Sequence, residues 1–355
     1  MMPMMSDSYA RSGVDIDAGN EAIKRYRALL GSHRDPRVLE GIGGFGGCFE
    51  LSGFKRPVLV ASTDGVGTKV LVAAALARFD TVGRDLVNHC INDIACMNAR
   101  PLFFLDYLAV GKLDASVAAS IVSGIAVSCE RFGLALLGGE TAEMPGVYAE
   151  DHFDLAGTIV GALERDAMPD ASAVVAGDLV IGFPANGFHT NGYSLVRQVL
   201  DRSRWGNRVE GSSVTIGDAM LAVHPCYLPY ADAIRESGVA IKAMAHITGG
   251  GLLNNVERVL PEHLAARFDR SKWAVPALMV QVVREARLSD DEAYRTFNMG
   301  VGFCVIVSAA DGSKALAAAD AALLREPIEG SAQPSAAIVG EIEPRHQCGP
   351  AVIIV

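Results

Sequence analysis

The chain has 355 residues, 50% of them hydrophobic and 20% charged, with a formal net charge of -10 at pH 7. That length exceeds what one hydrophobic core usually serves and predicts two domains. The acidic balance, with no Lys/Arg block, excludes a nucleic-acid backbone as a natural partner, and seven cysteines without a CxxC pair or Cys/His cluster exclude a zinc or disulfide framework.

The opening MMPMMSDSYARSG lacks a sustained apolar core and does not read as a signal peptide. The longest uncharged run, Ala115 to Cys129, is shorter than the ~20 residues of a membrane helix, so a cytosolic location is expected. Residues 1–40 then carry a short basic segment, EAIKRYRALL. Lys24, Arg25 and Arg27 cannot share one helix face, so at least one points to water; a solvated face and a phosphate contact both stay open.

The run Gly41-Ile42-Gly43-Gly44-Phe45-Gly46-Gly47 formally matches GxGxxG. Its context argues against a dinucleotide fold, because residues 34–40 do not read as a strand and CFELSGFKRP does not read as a helix. A flap whose amides close over phosphates and a plain flexible loop are the two readings left.

In VLVASTDGVGTK, residues 58–69, four apolar residues predict a buried strand, and Val70 to Ala77 predicts a helix. Between them, Asp64, Gly65, Gly67, Thr68 and Lys69 surround one helix start. Such a place suits an anion and the divalent cation that travels with a polyphosphate. A tight turn capped by Thr63 or Asp64 is the plain alternative.

Residues 82–99 predict a helix with Leu86, Cys90, Ile94 and Met97 on one face and Asp85, Asn88, His89, Asn92 and Asp93 on a second stripe. Short Asp and Asn arms disfavour helices and suit ligand contact, which makes Asp93 a second metal carboxylate and leaves His89 structural. A strand over Pro101 to Gly111, a helix over Asp114 to Phe132 and a strand over Leu134 to Leu137 follow. Gly138 to Gly146, GGETAEMPG, is then a second meeting of glycine and carboxylate at a strand end, before a strand over Phe153 to Leu163. From the residues alone this is a parallel α/β pattern, whose strand ends gather ligands.

The composition turns small and polar over Glu164 to Gly177, which places the domain boundary near residue 170, with domains over 1–170 and 171–355. The strand Asp178 to Phe183 leads into PANGFHTNG and a helix over Tyr193 to Leu200. His189 on that glycine-flanked turn suits a proton or substrate contact; the alternative is a loop histidine with Thr190 or Asn191 as helix cap. The strand Ala240 to Ile247 leads through Gly249-Gly250-Gly251 to a helix over Leu252 to Leu260. A strand over Val301 to Val307, a helix over Ser313 to Leu324 and a strand over Ala336 to Ile342 close the chain. No Walker loop, kinase signature, GxSxG or zinc spacing is present, and the residues stop at an ATP-using enzyme of α/β character.

Together, GVDIDAGN, GIGGFGG, TDGVGTK, NDIA, PLFFLDY, GGETAEMPG, HTNGYSLVR, AHITGGG and YRTFNMGVG resemble the phosphoribosylformylglycinamidine cyclo-ligase family, also called aminoimidazole ribonucleotide synthetase. They span residues 13 to 302 in the family's order. The resemblance implies an α+β fold of two domains, the first binding ATP and pairing in a homodimer, and ATP-dependent closure of the imidazole ring of formylglycinamidine ribonucleotide in purine synthesis. It implies Mg2+ with ATP, an iminophosphate intermediate, and only small-molecule substrates. It also implies that Asp64 and Asp93 hold the metal and nucleotide, with Gly65 and Thr68 beside them, that Gly43, Gly44, Phe45, Gly46 and Gly47 close over ATP, and that Lys69 meets phosphate. His189 and Asn191 would lie at the reacting amide, and His246 with Gly249, Gly250 and Gly251 on the substrate side. Arg27, with Lys24 one turn earlier, stands where the family often has lysine.

The resemblance extends to a superfamily with selenophosphate synthetase, thiamine monophosphate kinase and a hydrogenase-maturation protein. The first uses a reactive residue near its N-terminus, whereas the first cysteine here is Cys48; the last ends in cysteine, whereas this chain ends IIV. A noncatalytic nucleotide-binding regulator is the reading from another class.

Overall fold

The computed structural model describes residues 16–30 and 35–355. Gly13 to Asp15 of the first motif, the opening methionine-rich stretch and the side chain of Arg27 lie outside the described part. The chain divides into two compact units, the first ending at Ile94 and resuming over Ala99–Asp166, the second made of Ala95–Asn98 and Ala167–Val355.

The first unit is built on a four-stranded sheet in the order β3, β6, β4, β5, comprising β3 (Pro57–Gly65), β4 (Arg100–Val110), β5 (Ala135–Glu143) and β6 (Phe153–Glu164). β6 runs antiparallel to both β3 and β4, and only β4 and β5 are parallel. That parallel pair requires a crossover, which the helix Ala115–Arg131 supplies. Asp114 caps this helix by accepting from the backbone N–H of Ser116 and Val117.

The helix Asp80–Cys96 is buried over Val82, Leu86, Val87, Cys90, Ile91 and Ile94. It crosses Ala115–Arg131 at glycines: a Cβ on Gly83 would overlap the Ile121 carbonyl, and one on Gly124 the Asp80 carbonyl. On the other sheet face, Phe49 packs on Phe103, and apolar side chains beyond it stay exposed among the described residues. β3 alternates regularly, leaving Leu59 60% exposed, and Leu105 and Tyr107 on β4 are 36% and 40% exposed.

A two-stranded antiparallel ribbon, β1 (Val38–Glu40) and β2 (Cys48–Phe49), flanks the glycine run. Residues 34–40, expected not to form a strand, therefore contribute a short one. Pairing with β2 sustains it, which local sequence does not report.

The second unit is a six-stranded sheet in the order β12, β9, β11, β7, β10, β8. Its strands are β7 (Leu179–Pro184), β8 (Ile241–His246), β9 (Leu264–Phe268), β10 (Val301–Val307), β11 (Ala337–Pro344) and β12 (Val352–Ile354). All neighbours are antiparallel except β12 with β9. Ile181, Phe183, Phe303 and Val305 form its core with Tyr227, Tyr230 and Ile234 of the region around helix Leu228–Glu236 and Ala315, Ala319 and Leu323 of helix Gly312–Arg325.

The parallel α/β pattern drawn from the residues alone is thus corrected: both sheets are chiefly antiparallel, and the α+β class implied by the resemblance is what the chain adopts. Apolar runs report burial on both faces, not strand direction. The sheet continues through Gly138, Gly139 and Glu140, expected to be a turn, because β5 remains paired with β4 as far as Glu143. No helix among the described residues is long and apolar enough to cross a membrane.

Candidate functional site

In the first unit, alternate residues of β3 face the helix Asp80–Cys96, and Ser62 and Asp64 lie in that set. Asp64 Oδ1 accepts from the Gly65 N–H (2.7 Å), and its Oδ2 lies 2.6 Å from His89 Nε2. One helical turn on, Asp93 Oδ2 stands 3.8 Å from the same nitrogen and accepts from Ser62 Oγ (3.2 Å). Ligand atoms of Asp64, His89 and Asp93 all fall within 4.8 Å of one another.

Burial works against a charge on His89, but the carboxylates of Asp64, Asp93 and Asp85 outweigh it and raise its pKa. Burial likewise pushes Asp64 up, and the His89 and Gly65 hydrogen bonds reverse that, leaving it lowered. His89, read from sequence as structural, is the hub joining the two acids. The two carboxylates keep 41% and 29% of their side-chain surface exposed; such hard oxygen donors fit a Mg2+ ion.

The polar helix stripe is otherwise interior. Asp85, Asn88, His89 and Asn92 are buried, while Met97, expected on the apolar face, lies past the helix end and is exposed. Periodicity groups residues by face without saying which face is wet. Lys69 also departs from expectation: its Nζ lies 2.7 Å from Asp85 Oδ2, and neither side chain has any exposed surface. An ammonium so enclosed is paired with Asp85 where the resemblance had set it against phosphate.

The helix Lys69–Leu76 starts after Thr68, with no side-chain cap bond. Thr63 and Asp64, the alternative caps, belong to β3, where Thr63 Oγ1 meets Thr158 Oγ1 at 2.7 Å.

The glycine run is a loop between β1 and β2, anchored to the sheet on its β2 side. Phe49 packs on Phe103 of β4 with ring centroids 5.4 Å apart, and a Cβ on Gly47 would overlap Leu137 of β5. Gly43 has φ +111°, open to glycine, and Phe45 projects fully exposed. Asp106 on β4 lies against β5 so closely that a Cβ on Gly139 would overlap its carboxylate. Burial pushes its carboxyl up to about 7, and the Glu140 charge adds to this.

In the second unit, the loop after β7 carries His189 at φ +60°, a left-handed conformation uncommon outside glycine. Expected on a polar turn, His189 is instead only 1% exposed. Its ring stacks on that of His224 (centroids 4.1 Å, 20° between planes). His224 Nε2 in turn lies 3.0 Å from Nε2 of His246, at the end of β8. Gly302 of β10 leaves room for this group, since a Cβ there would overlap Tyr227 Oη and crowd His189.

Asn191 closes a turn with Phe188 (3.1 Å), and its buried Nδ2 meets no hydrogen-bond acceptor among the described residues. Its Oδ1 lies 3.6 Å from where a Cβ on Gly249 would stand. Neither Thr190 nor Asn191 caps the helix Tyr193–Val199; Gly192 occupies that position.

The loop Thr248 to Gly251 is stitched by Asn255, whose Nδ2 donates to the carbonyls of Thr248, Gly249 and Gly251 (3.3, 3.1 and 2.9 Å). His189, Asn191, His246 and the three glycines therefore converge within this unit. Sequence reasoning missed His224 and Asn255. The only signal for His224 was a histidine before a proline in an apolar stretch, and Asn255 sits one helical turn after Gly251.

Comparison with known proteins now gives this geometry a family. Residues 51–163 match the N-terminal domain and residues 175–350 the C-terminal domain of the AIR synthase related proteins. The phosphoribosylformylglycinamidine cyclo-ligase of Desulfitobacterium hafniense (strain DSM 10664 / DCB-2) is 47% identical over 309 residues, covering 86% of this chain and 91% of its own.

Two solved structures share the fold at low identity. Thiamine-monophosphate kinase from Stenotrophomonas maltophilia K279a has a TM-score of 0.66 at 17% identity, over 94% of this chain and 95% of that one. Hydrogenase maturation protein HypE in complex with ATP has a TM-score of 0.64 at 17% identity, over 93% and 90%. With both domains matched and nearly half the residues shared with such a relative, the chain belongs to the phosphoribosylformylglycinamidine cyclo-ligase family.

Proposed function

We propose that the chain uses ATP to close the imidazole ring of formylglycinamidine ribonucleotide, giving 5-aminoimidazole ribonucleotide, ADP and phosphate in purine synthesis. The observation that carries this is the convergence of Asp64 and Asp93 on His89, beside the glycine-containing turn Gly65 to Thr68, in a chain of this family. Residues 1–170 form the ATP-binding and dimerising domain, and 171–355 the domain that completes the reaction.

Asp64 and Asp93 hold Mg2+, which neutralises charge on the triphosphate. Gly65 and Thr68 contact the nucleotide through the turn before helix Lys69–Leu76, and Gly43 to Gly47 close over it with Phe45. His189 and Asn191 address the formamide, Asn191 offering its buried amide N–H to an acceptor oxygen. His246 and Gly249 to Gly251 contact the remainder of the ribonucleotide.

The formamide oxygen attacks the terminal phosphorus of ATP and releases ADP. The ring-forming nitrogen then attacks the formyl carbon, and the C–O bond breaks with phosphate as leaving group, carrying the former formyl oxygen. The open sheet face around Leu59, Leu105 and Tyr107 supports pairing of two chains through their first domains.

Purified protein given formylglycinamidine ribonucleotide and Mg–ATP should release ADP and the aminoimidazole product in equal amounts. Binding of Mg–ATP without turnover would reduce the chain to a nucleotide-binding regulator. An oxygen label in the formyl group should appear in released phosphate; its recovery elsewhere would rule out the iminophosphate route.

A further inference from the structure

We propose that His224 is a positioning residue for the reacting centre: it supports the ring of His189 from below and fixes the proton arrangement of His246. This rests on the reading above that His189 and His246 face the substrate.

The backbone of His189 sits at φ +60°, so its side chain leaves the chain in a direction that a regular loop would not give. Something must therefore define where the ring lies. On one side Gly302 supplies only backbone, and the ring edge lies where a Cβ would otherwise be. Against its flat face lies His224, at 4.1 Å and nearly parallel, a spacing for stacked rings.

His224 is itself well fixed. It has no exposed surface, the preceding carbonyl of Val223 accepts from Asn186 Nδ2 (2.8 Å), and the same amide group donates to Glu329 (3.0 Å). Pro225 follows and restricts the backbone before it.

The Nε2 atoms of His246 and His224 are 3.0 Å apart, a hydrogen bond between two like atoms that needs one hydrogen between them. One ring must donate and the other accept; two hydrogens would clash, and none would leave two lone pairs opposed. The tautomer of His246 is thus tied to that of His224. A shared hydrogen on one side and a stacked face on the other make His224 the link between two rings assigned to the substrate.

Two variants separate these contributions. His224→Phe keeps a ring for His189 to stack on and removes the bond to His246, whereas His224→Gln keeps a hydrogen-bonding end near the old Nε2 and removes the stack. Each should lower kcat about tenfold or more, as misplacement of a reacting group does, with the KM for ATP unchanged because ATP is assigned to the first domain. His189→Ala is measured alongside. Near wild-type turnover in His189→Ala would remove the reading of the site on which this rests. An inactive His189→Ala beside wild-type kcat in both His224 variants would overturn the proposal itself.

Should the variants fail to fold, the wild-type protein labelled with nitrogen-15 histidine decides. Two rings should be coupled through one Nε2–H···Nε2 bond, one nitrogen protonated and one not. Two Nε2 atoms of the same kind would overturn it.

Discussion

Lys69 and Asp85 form an ion pair from which water is excluded, with 2.7 Å between Nζ and Oδ2 and both side chains wholly interior. Burial pulls the Lys69 pKa down, and Asp85 opposes that pull. The pair joins the first residue of helix Lys69–Leu76 to helix Asp80–Cys96, and so fixes the turn that leaves Asp64. Removing one partner strands the other charge in the interior.

Lys69→Met should therefore destabilise the protein by about 3–5 kcal/mol, and Asp85→Leu added to it should restore most of that loss, since a buried pair replaced by apolar groups is often neutral. Urea unfolding of the single and double variants checks this. A stable Lys69→Met whose only defect is a raised KM for ATP would instead place Lys69 at the phosphate.

Asp64→Asn should lower turnover by about a hundredfold or more, because a neutral amide gives up the charge that neutralises a bound cation. The fold should persist, since Asp64 is half-exposed at the end of β3. Circular dichroism and an ADP-release assay across a Mg2+ titration make the measurement. Activity equal to wild type would take Asp64 out of the metal site.

Asp106 should set part of the pH dependence of stability. Its folded pKa, about 7, stands above the ordinary 3.8, so between those values the folded state binds more protons than the unfolded one. The sign follows: its contribution to stability falls as pH rises through this window. Asp106→Asn, which stays neutral, should flatten the slope. Urea midpoints of the two proteins at about pH 5 and about pH 7.5 test it; parallel slopes would show that Asp106 ionises freely.

These residues also show what the sequence could reveal. The seven apolar residues Val301–Val307 form the strand they predict because burial is complete along it, and Asp114 caps its helix because its carboxylate needs only two neighbouring N–H groups. Asp64 and Asp93 were legible as acids beside a turn and on a helix. The continuation of β5 through Gly138-Gly139-Glu140 was not, since pairing with β4 overrides local turn chemistry. Lys69 pairs across 16 positions and His224 stacks across 35, both set by packing that periodicity does not encode.

The open sheet face yields the remaining prediction. Leu59 on β3 and Tyr107 on β4 belong to one face of a sheet whose opposite face is covered by helices. Apolar side chains left this exposed on a regular strand invite a second copy of the same face, the self-complementary arrangement of a two-fold dimer. Sedimentation or light scattering should give the wild-type protein a mass of twice 37.4 kDa. Leu59→Lys combined with Tyr107→Glu places unpaired charges at the centre of that contact, where they cost far more buried than in water. The double variant should therefore run as a folded monomer. A variant still dimeric at micromolar concentration would show that this face is not the contact.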